Sequence, residues 1–256
     1  MAYDLRIRRT TQMRRNLIVV RAGDDSLHRR WMNDSSARKF DLLVSYYGSL
    51  PGRYQNRADH YHEMQGPRWP AHYWLWQNRR EVFDRYDRVA FVCDDVDAGT
   101  ASWNRMFDLC EWFDLDLAQP AIDGHVNLPI TQPVDGCLLR YTNFVEVMCP
   151  VLSRRALALC GDTFRHSVSG WGLEFVWADL LPYPAFRIAI VDHVRVSHTR
   201  PTRRGPLRPV LDALGVDPKT EETEMLARLG LCGREKVEIA RLSLPNMDDR
   251  LLYCDV

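Results

Sequence analysis

Short apolar runs, each bounded by polar residues, divide the first part of the chain. They cover residues 16–21, 40–46 and 89–93. Runs of this length are typical of strands that are buried on both faces of a sheet. Segments with helical spacing, at 27–31 and 69–86, lie between them, and this alternation predicts βαβ units. We therefore expect one α/β domain with a central mixed, mostly parallel sheet that is flanked by helices.

The second half of the chain continues the alternation of helix and strand. The predicted helices are 102–113, 151–164 (with Ser153 as N-cap) and 175–181. The predicted strands are 116–121, 141–150 and 187–191. Two segments rich in turn residues, 49–72 and 123–140, are predicted as loops. The His-x-His-Glu sequence at 60–63 falls in the first of these, where we expect a surface loop rather than a metal site.

The charge of the chain narrows the classes of partner. The 256 residues carry a formal net charge of zero. General nucleic-acid binding needs a basic excess, so we expect no nucleic-acid partner. Five arginines lie within residues 1–15, which are predicted as a basic N-terminal tail. A short basic arm of this kind leaves open a weak peripheral contact with acidic lipid head groups.

The cysteines and the apolar segments indicate a cellular location. The seven cysteines form no Cys-x-x-Cys pair, and several of them lie within apolar runs. This pattern is typical of buried, reduced thiols rather than of a disulfide framework or a zinc site. No apolar segment reaches the about 20 residues that a membrane helix needs, and the N-terminus lacks the apolar core of a signal peptide. We expect a cytoplasmic protein without a transmembrane segment.

Three carboxylates follow directly on the run at 89–93. Asp94, Asp95 and Asp97 come at the end of a predicted buried strand, where ligands bind in open α/β sheets. Like charges that crowd together repel one another, and a bound divalent cation offsets that repulsion. A second interpretation is that the acids stabilise the start of the helix that follows. Both interpretations stay open at this point.

Three chemical features occur in order along the chain. They are Asp95-Val96-Asp97, the turn Gly170-Trp171-Gly172-Leu173-Glu174, and His198 after the last predicted core strand. This order resembles glycosyltransferases of the GT-A fold. Those enzymes place an Asp-x-Asp (DXD) motif after a central strand, a catalytic carboxylate at a later helix start and often a histidine ligand near the end of the catalytic domain. The resemblance implies a GT-A-like fold.

The wider sequence resembles an uncharacterised family of plants and bacteria that is labelled "lysine-ketoglutarate reductase trans-splicing related". The shared passages are Asn16-Leu-Ile-Val-Val-Arg-Ala-Gly-Asp24, Ser26-Leu-His-Arg-Arg-Trp31, Phe40-Asp-Leu-Leu-Val-Ser-Tyr-Tyr-Gly48, Thr142-Asn-Phe-Val-Glu146, Ser169-Gly-Trp-Gly-Leu173 and His198-Thr-Arg-Pro201. That family is usually grouped with GT-A enzymes. The passages define a catalytic domain at 16–201, and we expect 202–256 to form a helical extension that packs on this core.

The resemblance implies a role for each site residue on the donor side. Asp97 would be the direct ligand of Mn²⁺ or Mg²⁺, with Asp95 acting through water or the donor ribose. His198 would supply a nitrogen ligand. The residues expected to bind the nucleotide-sugar donor are Arg21, Asp24, Tyr46, Asp94, Asp95 and Arg200.

On the acceptor side, Glu174 is the candidate base. It would take the proton from an acceptor hydroxyl while that oxygen attacks the anomeric carbon with inversion. Trp171 and Gly172 would contact the acceptor. Each role has a structural alternative: Glu174 as an acid at a helix start, Trp171 as a packing residue, and His198 as a hydrogen-bonded core histidine. His193 competes with His198 for the role of ligand.

The sequence thus predicts a metal-dependent glycosyltransferase that moves a sugar from a nucleotide-diphosphate donor to a glycan or another hydroxyl acceptor. Two alternatives remain. One is a non-catalytic module on the same scaffold that binds a nucleotide or a saccharide. The other is a metal-dependent phosphohydrolase, which would release inorganic phosphate and would not need Glu174.

Overall fold

A computed structural model describes residues 14–126, 128–182, 186–201, 207–231 and 235–244. The strands are β1 (Asn16–Ala22), β2 (Phe40–Tyr46), β3 (His60–Glu63), β4 (Arg88–Cys93), β5 (Val96–Asp97), β6 (Leu117–Gly124), β7 (Cys137–Thr142), β8 (Val151–Ser153), β9 (Ile188–His198) and β10 (Glu238–Ser243). The helices are α1 (His28–Trp31), α2 (Arg68–Asn78), α3 (Arg80–Phe83), α4 (Thr100–Trp112), α5 (Arg154–Cys160), α6 (Leu173–Leu180), α7 (Leu207–Ala213) and α8 (Pro218–Arg228). Three short 3₁₀ helices cover Gln55–Arg57, Pro129–Thr131 and Gly161–His166.

The ten strands in the described residues belong to one mixed sheet. Its order is β10-β7-β9-β6-β8-β4-β1-β2-β3, and β5 pairs separately with β9. The strands β3, β2, β1 and β4 run parallel to one another. The short strand β8 runs antiparallel between β4 and β6, so β4, β6 and β9 point the same way. The expected mixed, mostly parallel sheet is confirmed, and the carboxyl ends of β1, β2, β4 and β9 share one edge.

Strand β1 shows why these runs are mainly apolar. Ile18 and Val20 belong to one hydrophobic cluster, and Leu17 and Val19 belong to the cluster on the other face. Successive side chains of a strand point to opposite faces, so a strand that is covered on both sides has apolar residues throughout. Helix α4 covers one face, whereas α2, α5 and α6 cover the other. Burial of each such side chain contributes about 1.5–3 kcal/mol to stability.

The predicted strand at 141–150 is wrong in its bounds. Strand β7 ends at Thr142, and the residues that follow are irregular. The hydroxyl of Thr142 accepts a hydrogen bond from the amide of Phe144, at 3.2 Å. Such a local side-chain bond competes with the strand ladder and turns the backbone. Glu146 therefore lies in an irregular segment and is half-buried, and its amide donates to Gln119 at 2.6 Å.

Two further predictions need correction. Residues 60–63 form strand β3 beside β2 instead of a surface loop. The predicted helix at 151–164 begins with strand β8, which fills the gap between β4 and β6, and a 3₁₀ helix ends it. In both places pairing with neighbouring strands overrides the local pattern. Ser153 is confirmed as the N-cap of α5, because its hydroxyl accepts from the amide of Ala156 at 3.1 Å.

The segment 202–256 contributes more than helices. Its described residues contain α7, α8 and strand β10, which pairs antiparallel with β7 at the edge of the sheet. Most of the predicted basic tail lies outside the described residues. Its last two arginines are in ion pairs: Arg14 with Asp41 at 2.8 Å, and Arg15 with Glu111 at 3.2 Å.

Two further expectations can be compared with the described part of the chain. The cysteines there, Cys93, Cys110, Cys137, Cys149 and Cys160, are all free thiols, as predicted. Cys232 and Cys254 lie outside the described residues. None of the described helices is both long enough and apolar enough to cross a membrane.

Candidate functional site

The carboxyl ends of four strands meet at one edge of the sheet. Cys93 of β4 lies opposite Arg21 of β1, and Ala22 of β1 lies opposite Tyr46 of β2. The acids at 94 and 95 follow directly after β4, and His198 ends β9. Parallel strands deliver their following loops to the same edge, so residues that are distant in sequence are neighbours here.

His198 and Asp95 are in direct contact at this edge. The Nε2 atom of His198 lies 3.2 Å from Oδ2 of Asp95. The other ring nitrogen, Nδ1, lies 2.7 Å from the backbone oxygen of His125. A carbonyl oxygen only accepts, so Nδ1 carries a proton and the lone pair or second proton of Nε2 faces the carboxylate. Burial lowers the pKa of His198, but Asp95 and the His125 carbonyl together raise it above its ordinary value.

Asp95 has an acceptor atom without a partner. Its Oδ1 atom is buried and makes no hydrogen bond to any of the described residues. The backbone oxygen of Asp95 accepts from the amide of Thr199 at 3.0 Å and from the Thr199 hydroxyl at 2.8 Å. Burial raises the pKa of Asp95, but its contacts with His198 and Arg200 lower it by more, so that the net pKa lies below the ordinary value. A charged carboxylate with a free oxygen is thus held rigidly beside an imidazole.

Asp94 ties the loop after β1 to the end of β9. Its carboxylate accepts from the amide of Gly23 at 2.8 Å and from the Tyr47 hydroxyl at 3.3 Å. The other oxygen pairs with the Arg200 guanidinium at 3.0 Å. Arg200 also lies 3.9 Å from Asp95 and is partly exposed. Burial raises the pKa of Asp94, and the Gly23 amide and Arg200 oppose that shift.

Asp97 lies apart from the Asp95–His198 pair. In the β5–β9 ladder, Val96 is opposite His198 and Asp97 is opposite Ser197. Side chains alternate along a strand, so Asp97 projects from the face opposite to His198. Its carboxylate forms an ion pair with Arg30 at 2.5 Å, and both side chains are exposed. Within the described residues, no three side chains of His, Cys, Asp or Glu converge in a geometry that could hold a metal ion.

The predicted donor residues at the ends of β1 and β2 are bonded to their own loops. Arg21 is buried, and its guanidinium donates to the Ser45 hydroxyl at 3.0 Å and to the Gly66 carbonyl at 2.9 Å. Burial lowers the pKa of Arg21 to about 10. Asp24 accepts from the hydroxyl of Tyr46, and from the Ser49 hydroxyl at 2.7 Å. These contacts shape the loops at the strand ends.

Glu174 lies in the first turn of α6 and is buried. Its Oε2 atom has no hydrogen-bond partner in the described part of the chain. Burial raises the pKa of Glu174 to about 8, and the charge of Glu146 adds to the shift. An unpaired carboxyl with a pKa near neutrality is suited to accept or donate a proton at physiological pH.

Glu146 is a residue that sequence reasoning did not select for the site. Burial raises its pKa to about 7, while the charges of His198, Arg68 and Lys236 oppose that shift. Its Oε2 atom is also buried without a partner among the described residues. The charge of Glu146 acts on both His198 and Glu174, so the three side chains belong to one neighbourhood. The sequence feature that could have identified Glu146 is its position as a glutamate inside the apolar run 144–149.

The glycine turn before α6 is shaped by packing. Gly170 and Gly172 both have positive φ, at 93° and 90°. A Cβ atom on Gly170 would lie 2.1 Å from the Trp69 indole nitrogen, and one on Gly172 would lie 2.4 Å from the methyl group of Met225 in α8. Gly170 therefore needs glycine for space as well as for backbone conformation, whereas at Gly172 the Met225 methyl group can shift and the positive φ is the constraint.

Helix α8 also fixes the residues before this turn. The Glu221 carboxylate accepts from the Val168 amide and the Ser169 hydroxyl, each at 2.6 Å. Trp171, a predicted acceptor residue, is half-buried next to the turn. His193, the competitor of His198, is exposed and lies 3.3 Å from Arg105, so it does not share the contact with Asp95.

Comparison by sequence found no matching family model and no matching curated protein. Comparison by structure found similar solved structures. One is GalNAc-T7 with UDP, GalNAc and Mn²⁺, with 8% identity over 83% of this chain and a TM-score of 0.55. Another is residues 1–349 of TarS from S. aureus in complex with UDP-GlcNAc, with 13% identity over 84% of this chain and a TM-score of 0.50.

These likenesses establish the fold. At such identities the architecture is shared, and activity does not follow from it. The chain is a GT-A-like α/β domain, as its sequence predicted. It spans 48% of the GalNAc-T7 chain and 65% of the TarS 1–349 chain.

Proposed function

We propose that the protein is a metal-dependent glycosyltransferase that transfers a sugar from a nucleotide-diphosphate donor to an acceptor hydroxyl with inversion. One observation carries the proposal: the 3.2 Å contact between His198 Nε2 and Asp95 Oδ2, beside an Asp95 oxygen without a partner. The contact lies at the carboxyl ends of the strands of a GT-A-like sheet, where α/β folds bind their ligands.

The donor atoms of this pair fit Mn²⁺ or Mg²⁺. Carboxylate oxygen suits both ions, and imidazole nitrogen adds a ligand that Mn²⁺ accepts readily. Asp95 and His198 would hold the ion, and the remaining positions would fall to water and to the oxygens of the donor diphosphate. When bound, such an ion stabilises the negative charge that develops on the leaving diphosphate. Asp97 would join the ligands only after its ion pair with Arg30 has opened.

The residues around the pair would hold the donor. Arg200 reaches both Asp94 and Asp95 and is partly exposed, so its guanidinium can also form a fork with a phosphate group. Arg21 and the Asp24–Tyr46 contact, at the ends of β1 and β2, would form the wall for the nucleoside.

Glu174 would act as the base that removes the acceptor proton. A pKa of about 8 makes its carboxylate a stronger base than that of an ordinary glutamate, and a fraction of the group is deprotonated near neutral pH. Its free Oε2 has no competing partner among the described residues. Glu146 is the rival base. Its charge interacts with that of His198, and its pKa is raised to about 7. Trp171 and Gly172 lie in the turn before Glu174, where the acceptor would approach.

The test is incubation of the purified protein with Mn²⁺ and a panel of nucleotide sugars, with and without EDTA. The proposal predicts slow donor hydrolysis that releases a nucleoside diphosphate and stops when EDTA is added. Tight donor binding without turnover in any acceptor mixture would indicate a binding module. Release of inorganic phosphate that survives Glu174→Gln would indicate a phosphohydrolase. A cytoplasmic location fits an enzyme that uses soluble nucleotide sugars.

A further inference from the structure

A pocket lies in the connection between β2 and β3. None of Asp95, His198 and Arg200 lines it. Its volume is about 360 Å³, which is within the usual range for small-molecule sites. The walls come from the first turn of α1 and from the loop and 3₁₀ helix before β3. The residues that line it are Arg29, Gly52, Arg53, Tyr54, Asn56 and Arg57.

The walls of this pocket are positively charged. In the described part of the chain neither Arg29 nor Arg57 has an acidic partner, and the Nε atom of Arg53 is buried without an acceptor. Two carboxylates, Asp24 and Glu63, also lie close to the pocket, and Arg53 interacts with the charge of Asp24, so the three guanidinium groups outnumber the acids. Asp24 accepts from Tyr46 and Ser49, and Glu63 accepts from the Gly52 amide at 2.5 Å and from the Tyr61 hydroxyl at 2.7 Å.

Tyr54 holds the two faces of the pocket together. Its backbone has φ 72°, a left-handed conformation that non-glycine residues rarely adopt and that persists where the surroundings impose it. The Tyr54 hydroxyl donates to the backbone oxygen of Asp24 at 2.5 Å. Its ring packs edge-on against His28 at 4.5 Å and lies under the guanidinium of Arg53 at 5.1 Å.

His28 supports this arrangement from inside. It is 1% exposed, its Nδ1 lies 2.7 Å from the Ser26 hydroxyl, and its Nε2 has no partner among the described residues. Burial lowers the pKa of His28 to about 4, and the charges of Arg29 and Arg57 add to this shift. The ring is therefore neutral at pH 7, and the positive charge of the pocket comes from its arginines.

We propose that this pocket binds the phosphate group of a small phosphorylated molecule, at a site separate from the donor site. A guanidinium group can donate two parallel hydrogen bonds to two oxygens of one phosphate. The combined positive charge of three guanidinium groups suits a ligand with two or more negative charges. The volume accommodates a diphosphate or a phosphate ester with a small organic part. The inference does not depend on the proposed transferase activity, because it rests on residues that take no part in it.

The experiment is calorimetric titration of the full chain with inorganic pyrophosphate in EDTA. Without a divalent ion, pyrophosphate does not bind at a site that depends on a metal. The proposal predicts saturable binding that Arg53→Ala and Arg57→Ala each weaken by at least tenfold. Arg85→Ala removes an exposed arginine that does not line the pocket, and it should bind as the unmodified protein does. Arg57→Lys keeps the charge but loses the fork, and it should bind with intermediate affinity.

Two further controls are included. One distinguishes this pocket from the donor site, and the other distinguishes a small phosphorylated molecule from a lipid head group. Arg200→Ala should keep pyrophosphate binding in EDTA, whereas loss of binding in this variant would place the anion at the donor site and overturn the proposal. Absence of saturable binding, or equal affinity in Arg57→Ala, would also overturn it. Binding to phosphatidic acid vesicles but not to pyrophosphate would assign the pocket to a lipid head group and contradict a small-molecule ligand. Matched circular dichroism spectra of the variants confirm that they are folded.

Discussion

The imidazole of His198 lies 3.2 Å from a carboxylate oxygen of Asp95, although the two residues are 103 positions apart. The contact arises because β4 and β9 point the same way and end at one edge of the sheet. Without a proton on Nε2 or a cation, the two lone pairs that face each other would repel. The pair therefore needs a positive charge between or on its members.

The first prediction concerns this pair. Asp95→Ala and His198→Ala should each weaken Mn²⁺-dependent binding of UDP by at least tenfold, or about 1.4 kcal/mol, because each removes a ligand. His193→Ala is the matched control, since that exposed histidine contacts Arg105. Isothermal titration with and without Mn²⁺ measures the effect. Equal losses in all three variants would show that the histidine at 198 has no special role.

The second prediction separates Asp97 from Asp95. The ion pair of Asp97 with Arg30 is exposed, so Asp97→Ala should change the free energy of unfolding by less than about 1 kcal/mol. We expect Mn²⁺-dependent UDP binding to fall less in Asp97→Ala than in Asp95→Ala. A larger loss in Asp97→Ala would restore Asp97 as the main ligand, as the sequence first predicted. Arg30→Ala should not weaken the binding.

The third prediction uses the pH dependence of Glu174. Its pKa rises from an ordinary 4.5 to about 8 on folding. The folded state then binds more protons than the unfolded state between these values, so stability falls as pH rises through this window. At a pH below the ordinary pKa, Glu174 is protonated in both the folded and the unfolded state and does not change the free energy of unfolding. Glu174→Gln should remove this loss, and its free energy of unfolding should exceed that of the unmodified protein increasingly from pH 5 to pH 8.

Denaturant titrations at several pH values measure this difference. A pKa change of one corresponds to about 1.4 kcal/mol, which such titrations resolve. Glu146→Gln should behave in the same way over a narrower window, because the pKa of Glu146 is raised to about 7. If Glu174 is the base, Glu174→Gln keeps donor binding and loses transfer, whereas Glu146→Gln keeps part of the transfer. A parallel pH profile for all three proteins would contradict the raised pKa.

The fourth prediction concerns the glycine turn before α6. Gly170→Ala places a methyl group against the Trp69 indole, and it should destabilise the protein by about 2–4 kcal/mol through overpacking and strain. Gly66→Ala is the matched control, because Gly66 has φ 103° with nothing within 4 Å of the added atom. It measures the cost of the backbone conformation alone. If thermal unfolding shows the same loss of stability in both variants, the Trp69 indole shifts to make room for the added methyl group.

The sequence predicted the sheet more completely than the site. The strands β1, β2 and β4 have apolar centres because they are buried on both faces, and such runs can be recognised without knowing the neighbouring strands. Strand β8 could not be read, since its three residues are strand only by pairing with β4 and β6. Its pattern continues into α5, so the local signal favours a helix.

The site shows the same limit. The convergence of Asp95 and His198 could be predicted, because Asp95 follows β4, His198 ends β9, and the two strands end at one edge. The displacement of Asp97 could not, since it depends on the antiparallel pairing of β5 with β9. Glu146 also escaped prediction, because the irregular segment that contains it depends on contacts with Thr142 and Gln119. Tertiary contacts decide which of the acids face the site.

The most direct measurement is a crystal structure with Mn²⁺ and UDP, in which anomalous scattering locates the ion. The account predicts one Mn²⁺ peak about 2.1 Å from both an Asp95 oxygen and His198 Nε2, with the diphosphate completing its shell. A peak held by Asp97 without His198, or no peak at saturating Mn²⁺ and UDP, would contradict it.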